Sequence, residues 1–493
     1  MPFKGMMRTD RTLPTSFVLG LIGLGAFITA LDQTVVVTAL PSVMLDLKVP
    51  IIELDRVSWV ITAYLLGYTV AMPLIGRLGD VYGYPRVYQA SLVVFCIGTS
   101  LVAVSSSLEW MIGARVVQAV GGGATVPIGM ALATTLVPKE QRGLALGIVG
   151  ASAEAGSMLG PAYGGGIVEL LGWRWIFWLN VPQSAVIFLG LMWLPNRRDQ
   201  RAKVDYMGGV ILVGALLVLS LALSRTALFT FDSPYPFLLA AGGLGLVALL
   251  VLVEARTYQP LLTPLLFRSW AFLSSNLTQV LVGVALIIAM ITVPLMANTV
   301  MGKSPLTGAM WLLRLTGIIP VGAVVGGMLV TRLGSGPLTA VGLAMVSVGM
   351  FLASGWDLGV GDPELTVHLL IAGFGFGLVI APITVHAIGA ADEGYRGTAA
   401  SLVVVSRMMG MTLGLAALSA WGVGHFQTLT LGLEFPLPQL GDGAGVYESR
   451  AAEYTANLNA AGLELFRRFF LVASVVSLAA IVPALAMKRG TRS

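Results

Sequence analysis

The sequence predicts an all-α integral membrane protein in which two similar six-helix bundles flank two additional helices, fourteen spans in all. Three observations predict it. Of 493 residues, 56% are hydrophobic and 11% charged, with a mean hydropathy of +0.88, so there is too little polar surface to coat a soluble globule. Apolar stretches of about 20 residues recur along the whole chain, each long enough to cross a hydrocarbon core of ~30 Å. Finally, Gly121, Gly123, Arg142, Gly143, Gly156 and Gly160 return 254 residues later as Gly375, Gly377, Arg396, Gly397, Gly410 and Gly414, so the two halves are versions of one unit.

The first six spans fall near 15–38, 58–78, 87–107, 110–132, 144–168 and 176–194. Lys4, Arg8 and Arg11 precede the first, but that run continues through Ala30 without a small-residue cleavage signal, so a retained span is expected and not a signal peptide. Spans near 207–226 and 236–254 follow the charged linker from Arg197 to Lys203. The remaining six lie near 271–293, 307–330, 338–356, 366–390, 398–428 and 464–487. No stretch alternates like a membrane barrel strand, so every span is expected to be a helix that satisfies its own backbone.

The repeat pairs spans 4 and 5 with spans 12 and 13, eight helices apart, which gives both copies the same orientation. Setting aside the two central helices restores equal halves: 1–196, a linker unit 197–268, and 269–493. The linker helices carry no motif and are expected to pack beside the bundles. With the N-terminus in the cytoplasm, 18 of the 29 Lys and Arg face inward, so both termini are placed on the cytoplasmic side of a bacterial inner membrane. Basic loops against anionic lipid account for the net charge of +5 without any nucleic acid. Cys96 stands alone, and His368, His386 and His425 are scattered, so neither a disulfide, a metal site nor a cofactor is expected.

One connection is unusual. The segment 398–428 outruns the hydrocarbon and should protrude, opening an extracytoplasmic extension over 421–463. Within it LGLEFPLPQL could form a short hairpin, and VYESRAAEYTANLNAAGLELFRR reads as an amphipathic helix leading into the last span. The rival reading of 429–463 is a structureless loop.

Five ionisable residues lie inside spans: Asp32, Arg115, Glu154, Arg314 and Arg407. Facing lipid each would cost several kcal/mol, so all should face protein or a wet cavity. Glu154 belongs to the first half, and Arg407 lies one residue short of the matching place in the second, giving a pseudo-symmetric frame an asymmetric polar interior. Asp32 and Glu154 are the candidate proton-coupling groups, with Arg407, Arg115 and Arg314 as central charge partners. Permanent salt bridges that only join helices are the competing reading, above all for Arg115 and Arg314. Gly156, Gly160 and Gly164, with Pro161, form a small-residue seam that could be a pivot or a static crossing. The glycines at 121–123 and at 373, 375 and 377 lie within spans, without the strand or lysine of a phosphate loop.

The segment Gly76-Arg77-Leu78-Gly79-Asp80-Val81-Tyr82-Gly83-Tyr84-Pro85-Arg86 resembles the signature between the second and third helices of the major facilitator superfamily. Arg115, Gln118 and Gly121 are similar to its fourth-helix motif, and the run from Gly156 to Gly165 to its fifth-helix antiporter motif. Leu31-Asp32, Val35 to Thr38 and Pro41 resemble the first helix of its fourteen-helix drug:proton antiporters. Ile52 to Trp59, Tyr64 to Tyr68, Ala153-Glu154, Val403 to Met411 and Ala416 to Gly422 resemble the mycobacterial branch that exports triacylglycerides beside a periplasmic lipid-carrying lipoprotein.

The resemblance implies the major facilitator fold and proton-coupled export of lipid, triacylglycerides foremost, with Asp32, Glu154 and Arg407 in a central cavity. It implies a cytoplasmic gate of Gly76, Asp80, Gly83 and Arg86, in which Asp80 accepts from amides at a helix N-terminus and pairs with Arg86. It also implies an outer contact involving Trp421 and His425, and a periplasmic lipoprotein as partner. In the second half Arg332 to Gly336 holds the gate position without an aspartate. Multidrug efflux is the alternative function. A scaffold remains a third reading, while an enzyme is disfavoured because His386 is solitary and no nucleophile–base constellation accompanies it.

Overall fold

The computed structural model describes residues 14–49, 54–194, 205–223, 234–257, 266, 268–433, 435–436 and 444–487. The first bundle comprises α1 (Thr15–Asp46), α2 (Leu54–Tyr82), α3 (Tyr84–Ala103), α4 (Leu108–Gly122), α5 (Thr125–Leu136), α6 (Arg142–Leu171) and α7 (Arg174–Leu191). A pair, α8 (Tyr206–Leu223) and α9 (Tyr235–Glu254), follows. The second bundle comprises α10 (Trp270–Thr299), α11 (Pro305–Gly317), α12 (Ile319–Leu333), α13 (Ser335–Ala353), α14 (Asp362–Ala390), α15 (Arg396–Thr430) and α16 (Ala444–Leu485). Among the described residues there is no strand. The basic linker 197–203 and the charged N-terminal and C-terminal tails lie outside the described residues.

Two expected spans are each broken into two helices. The span expected at 110–132 divides at Gly123 into α4 and α5, where a side chain on Gly123 would meet the Tyr68 carbonyl oxygen at 2.6 Å and one on Gly121 the Ser91 carbonyl oxygen at 2.6 Å. The span at 307–330 divides between Gly317 and Ile319, because Pro320 has no amide proton to continue the ladder. Counting each pair once, twelve helices among the described residues are long and apolar enough to cross a membrane. Two of the expected fourteen fall short of that measure. The α7 helix carries Arg174, Asn180, Pro182 and Gln183, and the apolar part of α8 is limited to Tyr206–Ala222.

Lipid tails are as apolar as the helices, so close packing takes the place of hydrophobic burial as the cohesive term. The α1–α6 crossing is the example. A methyl group on Gly156 would collide with the Phe27 carbonyl, and one on Gly164 would lie 2.7 Å from Val35. Pro161 deprives the Ser157 carbonyl of its helical donor, and the Thr34 hydroxyl of α1 donates to that carbonyl instead, at 2.9 Å. The second copy keeps the glycines without the proline: a side chain on Gly410 would collide with the Val280 carbonyl, and one on Gly414 would lie 3.0 Å from the Val284 backbone.

The bundles meet on the end of the molecule that carries Asp80. Ile388, Ala400, Val404 and Val405 of the second half belong to the apolar core of the first. Gly143 of α6 presses on Gly327 of α12, and its repeat counterpart Gly397 of α15 on Gly76 of α2. The α8–α9 hairpin packs through Ile211, Leu212 and Leu250 against Leu74 and Leu402, one residue from each bundle. At the opposite end α15 runs 35 residues and α16 runs 42. At 1.5 Å per residue these are about 50 and about 60 Å long, well beyond the hydrocarbon. Gly432, at φ +92°, turns the chain after α15, and Phe435 meets Tyr454 edge-on at 5.6 Å. The amphipathic segment is therefore part of α16, while half of the expected hairpin at 431–440 lies outside the described residues and the described half contains no strand.

Gly156→Ala is expected to lower stability by about 1–3 kcal/mol through overpacking, visible as a fall in Tm of detergent-purified protein. Gly165→Ala, which would meet no atom within 4 Å, should leave the Tm unchanged.

Candidate functional site

Four of the five ionisable residues expected inside spans collect in two arrangements of opposite character. In the first, Asp32 of α1 accepts from Arg115 Nη1 at 2.8 Å, Gln118 Nε2 at 3.0 Å and Asn180 Nδ2 at 2.8 Å. Arg115 also donates to the Gln118 side-chain oxygen at 2.7 Å and stacks 3.9 Å above the Tyr64 ring. Asp32, Arg115 and Gln118 are fully buried, and all three belong to the first bundle. Their charges cancel inside a shell of donors, so this network fixes α1, α4 and α7 together.

The second arrangement joins the bundles. Arg407 Nη1 of α15 donates to Glu154 Oε1 of α6 at 2.5 Å, with side chains 17% and 14% exposed. Glu154 has this one hydrogen-bonded partner among the described residues, and Arg407 Nε is buried without an acceptor. Tyr68 stacks on Tyr64 at 5.8 Å, and its phenol lies in the field of both Glu154 and Arg407, so an aromatic pair connects the two charged sites. A pair held by one bond, partly exposed and shared between two bodies can break without unfolding either body. Protonating Glu154 removes its charge and with it most of the attraction across the cleft.

At the Asp80 end the bundles are clasped. Asp80 of α2 accepts from the Gly397 amide at 2.7 Å, the Thr398 amide at 3.0 Å and the Thr398 hydroxyl at 2.8 Å, which places its charge on the N-terminus of α15. The Tyr84 hydroxyl donates to the same carboxylate at 2.7 Å. Arg77 reinforces the contact by donating to the Gly394 carbonyl at 2.8 Å while lying 4.2 Å from the Tyr395 ring. Gly76 lets the two backbones touch, and Gly83, at φ +92°, makes the turn into α3.

Two expectations need correction. Arg86 does not pair with Asp80, because two amides and two hydroxyls already occupy that carboxylate; Arg86 instead points to an apolar slot on the outside of the bundle. Arg314 is not central either. It binds Asp362 at 2.7 Å and Thr366 at 2.7 Å near the end opposite Asp80, its long side chain reaching from the last turn of α11 to the first turn of α14. At the outer extension Trp421 stacks on His425 at 5.3 Å, as i,i+4 neighbours in α15, and meets Phe469 of α16 at 5.7 Å. Asn180 and the Tyr64–Tyr68 pair were not flagged as site residues. The signal for Asn180 was available, since an amide inside an apolar span must find a partner.

The family described as the Major Facilitator Superfamily matches residues 22–415. A triacylglyceride transporter of Mycolicibacterium hassiacum is 37% identical over 427 residues, covering 82% of this chain and 78% of that protein. A triacylglyceride transporter of Mycobacterium tuberculosis is 34% identical over 480 residues, covering 92% and 90%. Among solved structures, the Escherichia coli fucose:proton symporter has the same fold at a TM-score of 0.60 and 13% identity, covering 97% of this chain and 100% of that one.

The two carboxylates should respond differently to neutralisation. Asp32→Asn leaves Arg115 as a buried, unbalanced charge and is expected to cost about 3–5 kcal/mol, read as a large loss of Tm. Glu154→Gln leaves a side-chain oxygen able to accept from the partly exposed Arg407 and should cost less than Asp32→Asn, read as a smaller fall in Tm.

Proposed function

The chain belongs to the major facilitator superfamily and is a multi-pass membrane transporter, not an enzyme; from that premise we propose that it exports triacylglycerides from the inner membrane by proton-driven alternating access. The observation that carries the mechanism is the Glu154–Arg407 ion pair, which crosses from one bundle to the other with side chains 14% and 17% exposed. The cargo is supported by relatives at 33–37% identity whose names say that they transport triacylglycerides.

In this reading the Asp80 end is cytoplasmic, with both termini on that side, and the clasp of Asp80 on α15 holds it shut. Fourteen helices span the membrane, α7 and α8 among them, as in the drug:proton antiporters. The moving bodies are 1–196 and 269–493, with 197–268 between them. Glu154 takes a proton from the outer side, the attraction to Arg407 falls, and the bundles rock about the glycine seams until the Asp80 end opens. There the proton leaves, lipid enters from the bilayer, and the recovered Glu154–Arg407 pair helps to restore the first state. Each inward proton contributes ~2.3 kcal/mol per 100 mV of membrane potential. Asp32, enclosed by Arg115, Gln118 and Asn180, holds the frame and does not carry the proton.

Outside, α15 and α16 border an apolar cavity of about 420 Å³ lined by Leu295, Leu418, Phe426, Phe466 and Phe469. It supports a role for the extension in handling a greasy cargo, with a periplasmic lipid-carrying lipoprotein as the receiving partner.

Proteoliposomes with an imposed pH gradient test this directly. Labelled triacylglyceride should leave the bilayer with wild-type protein and stay with Glu154→Gln. Removal of 429–463 should depress lipid export more than efflux of a cationic dye. Unaltered export by Glu154→Gln would contradict the mechanism, and equal loss of both cargoes on deletion would contradict a lipid-specific extension.

A further inference from the structure

Away from the cleft, on the outer side of the first bundle, α2, α3 and α4 enclose a slot of about 420 Å³. Its floor is recessed because Ala90, Ser91 and Gly121 are small, and Gly121 brings α4 so near α3 that any side chain there would collide with the Phe95 backbone. Ile75, Leu78, Val87, Val94 and Val120 form apolar walls. Val120 in its wall is 39% exposed, so the slot offers an apolar surface suited to acyl chains and not to water.

Two polar side chains stand at its end nearest Asp80. The Tyr82 hydroxyl is engaged with the Tyr206 hydroxyl at 3.2 Å. The other is Arg86, in the first turn of α3, exposed and without an ion-pair or hydrogen-bond partner among the described residues. A guanidinium in a helix's first turn opposes the helix dipole, so an anion beside it relieves both. We propose that this slot binds an anionic phospholipid of the leaflet on the Asp80 side, with its phosphate on Arg86 and one acyl chain along the floor. An uncharged acyl ester would fill the apolar part equally well but leave the guanidinium without a counter-ion, so the charge selects the headgroup.

The site is separate from the transport path and does not rest on the identity of the cargo. Its position gives it a role: Arg86 lies three residues beyond Gly83 and two beyond Tyr84, which donates to Asp80. A lipid that immobilises Arg86 steadies the α2–α3 turn and thereby favours the closed clasp.

Native mass spectrometry of protein released from phosphatidylcholine nanodiscs doped with phosphatidylglycerol reads the binding. Wild-type protein should retain phosphatidylglycerol in preference to phosphatidylcholine. Arg86→Gln should lower that retention on the order of fivefold, as expected for one basic residue at an anionic surface. Ala90→Trp, which blocks the slot but keeps Arg86, should lower it as well, and retained Tm in both variants shows that they are folded. Equal retention of phosphatidylcholine, retention of triacylglyceride in place of phosphatidylglycerol, or undiminished phosphatidylglycerol in Arg86→Gln would each overturn the site. A loss with Arg86→Gln and none with Ala90→Trp would overturn it too, by reducing it to diffuse surface attraction.

Discussion

A carboxylate and a guanidinium can sit inside a membrane protein at low cost only together, and here one such pair is divided between two bodies. Glu154 on α6 and Arg407 on α15 each require the other, so the cleft between the bundles is energetically bound to its own state of charge. Glycine contacts on the Asp80 side of that pair let the bundles come together, and the Asp80 clasp secures the outcome with hydrogen bonds to a helix N-terminus. Apolar packing and polar contacts both cross between the bundles on the Asp80 side, while the buried Asp32–Arg115 network stays within the first bundle.

The contrast with Asp32 and Arg115 separates a framework charge from a working one. Both pairs are acid–arginine contacts at hydrogen-bond distance, and a motif search gives them equal standing. What differs is the number of donors and the access of water: Asp32 has three side-chain donors and no exposure, Glu154 one donor and a side chain 14% exposed. The first pair is locked within one bundle by several fixed contacts, whereas the second depends on a single contact with a partner on the other bundle.

Much of this was legible in the residues because bilayer physics leaves few options. Apolar run length located the helices, the glycine repeat revealed the paired halves, and the one-residue offset between Glu154 and Arg407 put opposite charges on opposite bundles at the same depth. The breaks at Gly123 and before Pro320 were missed because a hydropathy window averages over local backbone chemistry. Sequence position locates only the Cα of Arg314, while its long side chain carries the charge to the far end of the span. The partner of Arg86 was misassigned for a different reason. Asp80 is close in sequence, but the amides that satisfy it come from Gly397 and Thr398, 317 and 318 residues away.

The division of labour between the two acids can be tested without transport, by infrared difference spectroscopy of the reconstituted protein on acidification. One component of the protonated-carboxyl band of wild-type protein should persist in any Asp32 variant that remains folded and be missing from Glu154→Gln. A band that survives Glu154→Gln and disappears with Asp32→Asn would assign the proton to the sealed network and contradict a latch at Glu154–Arg407.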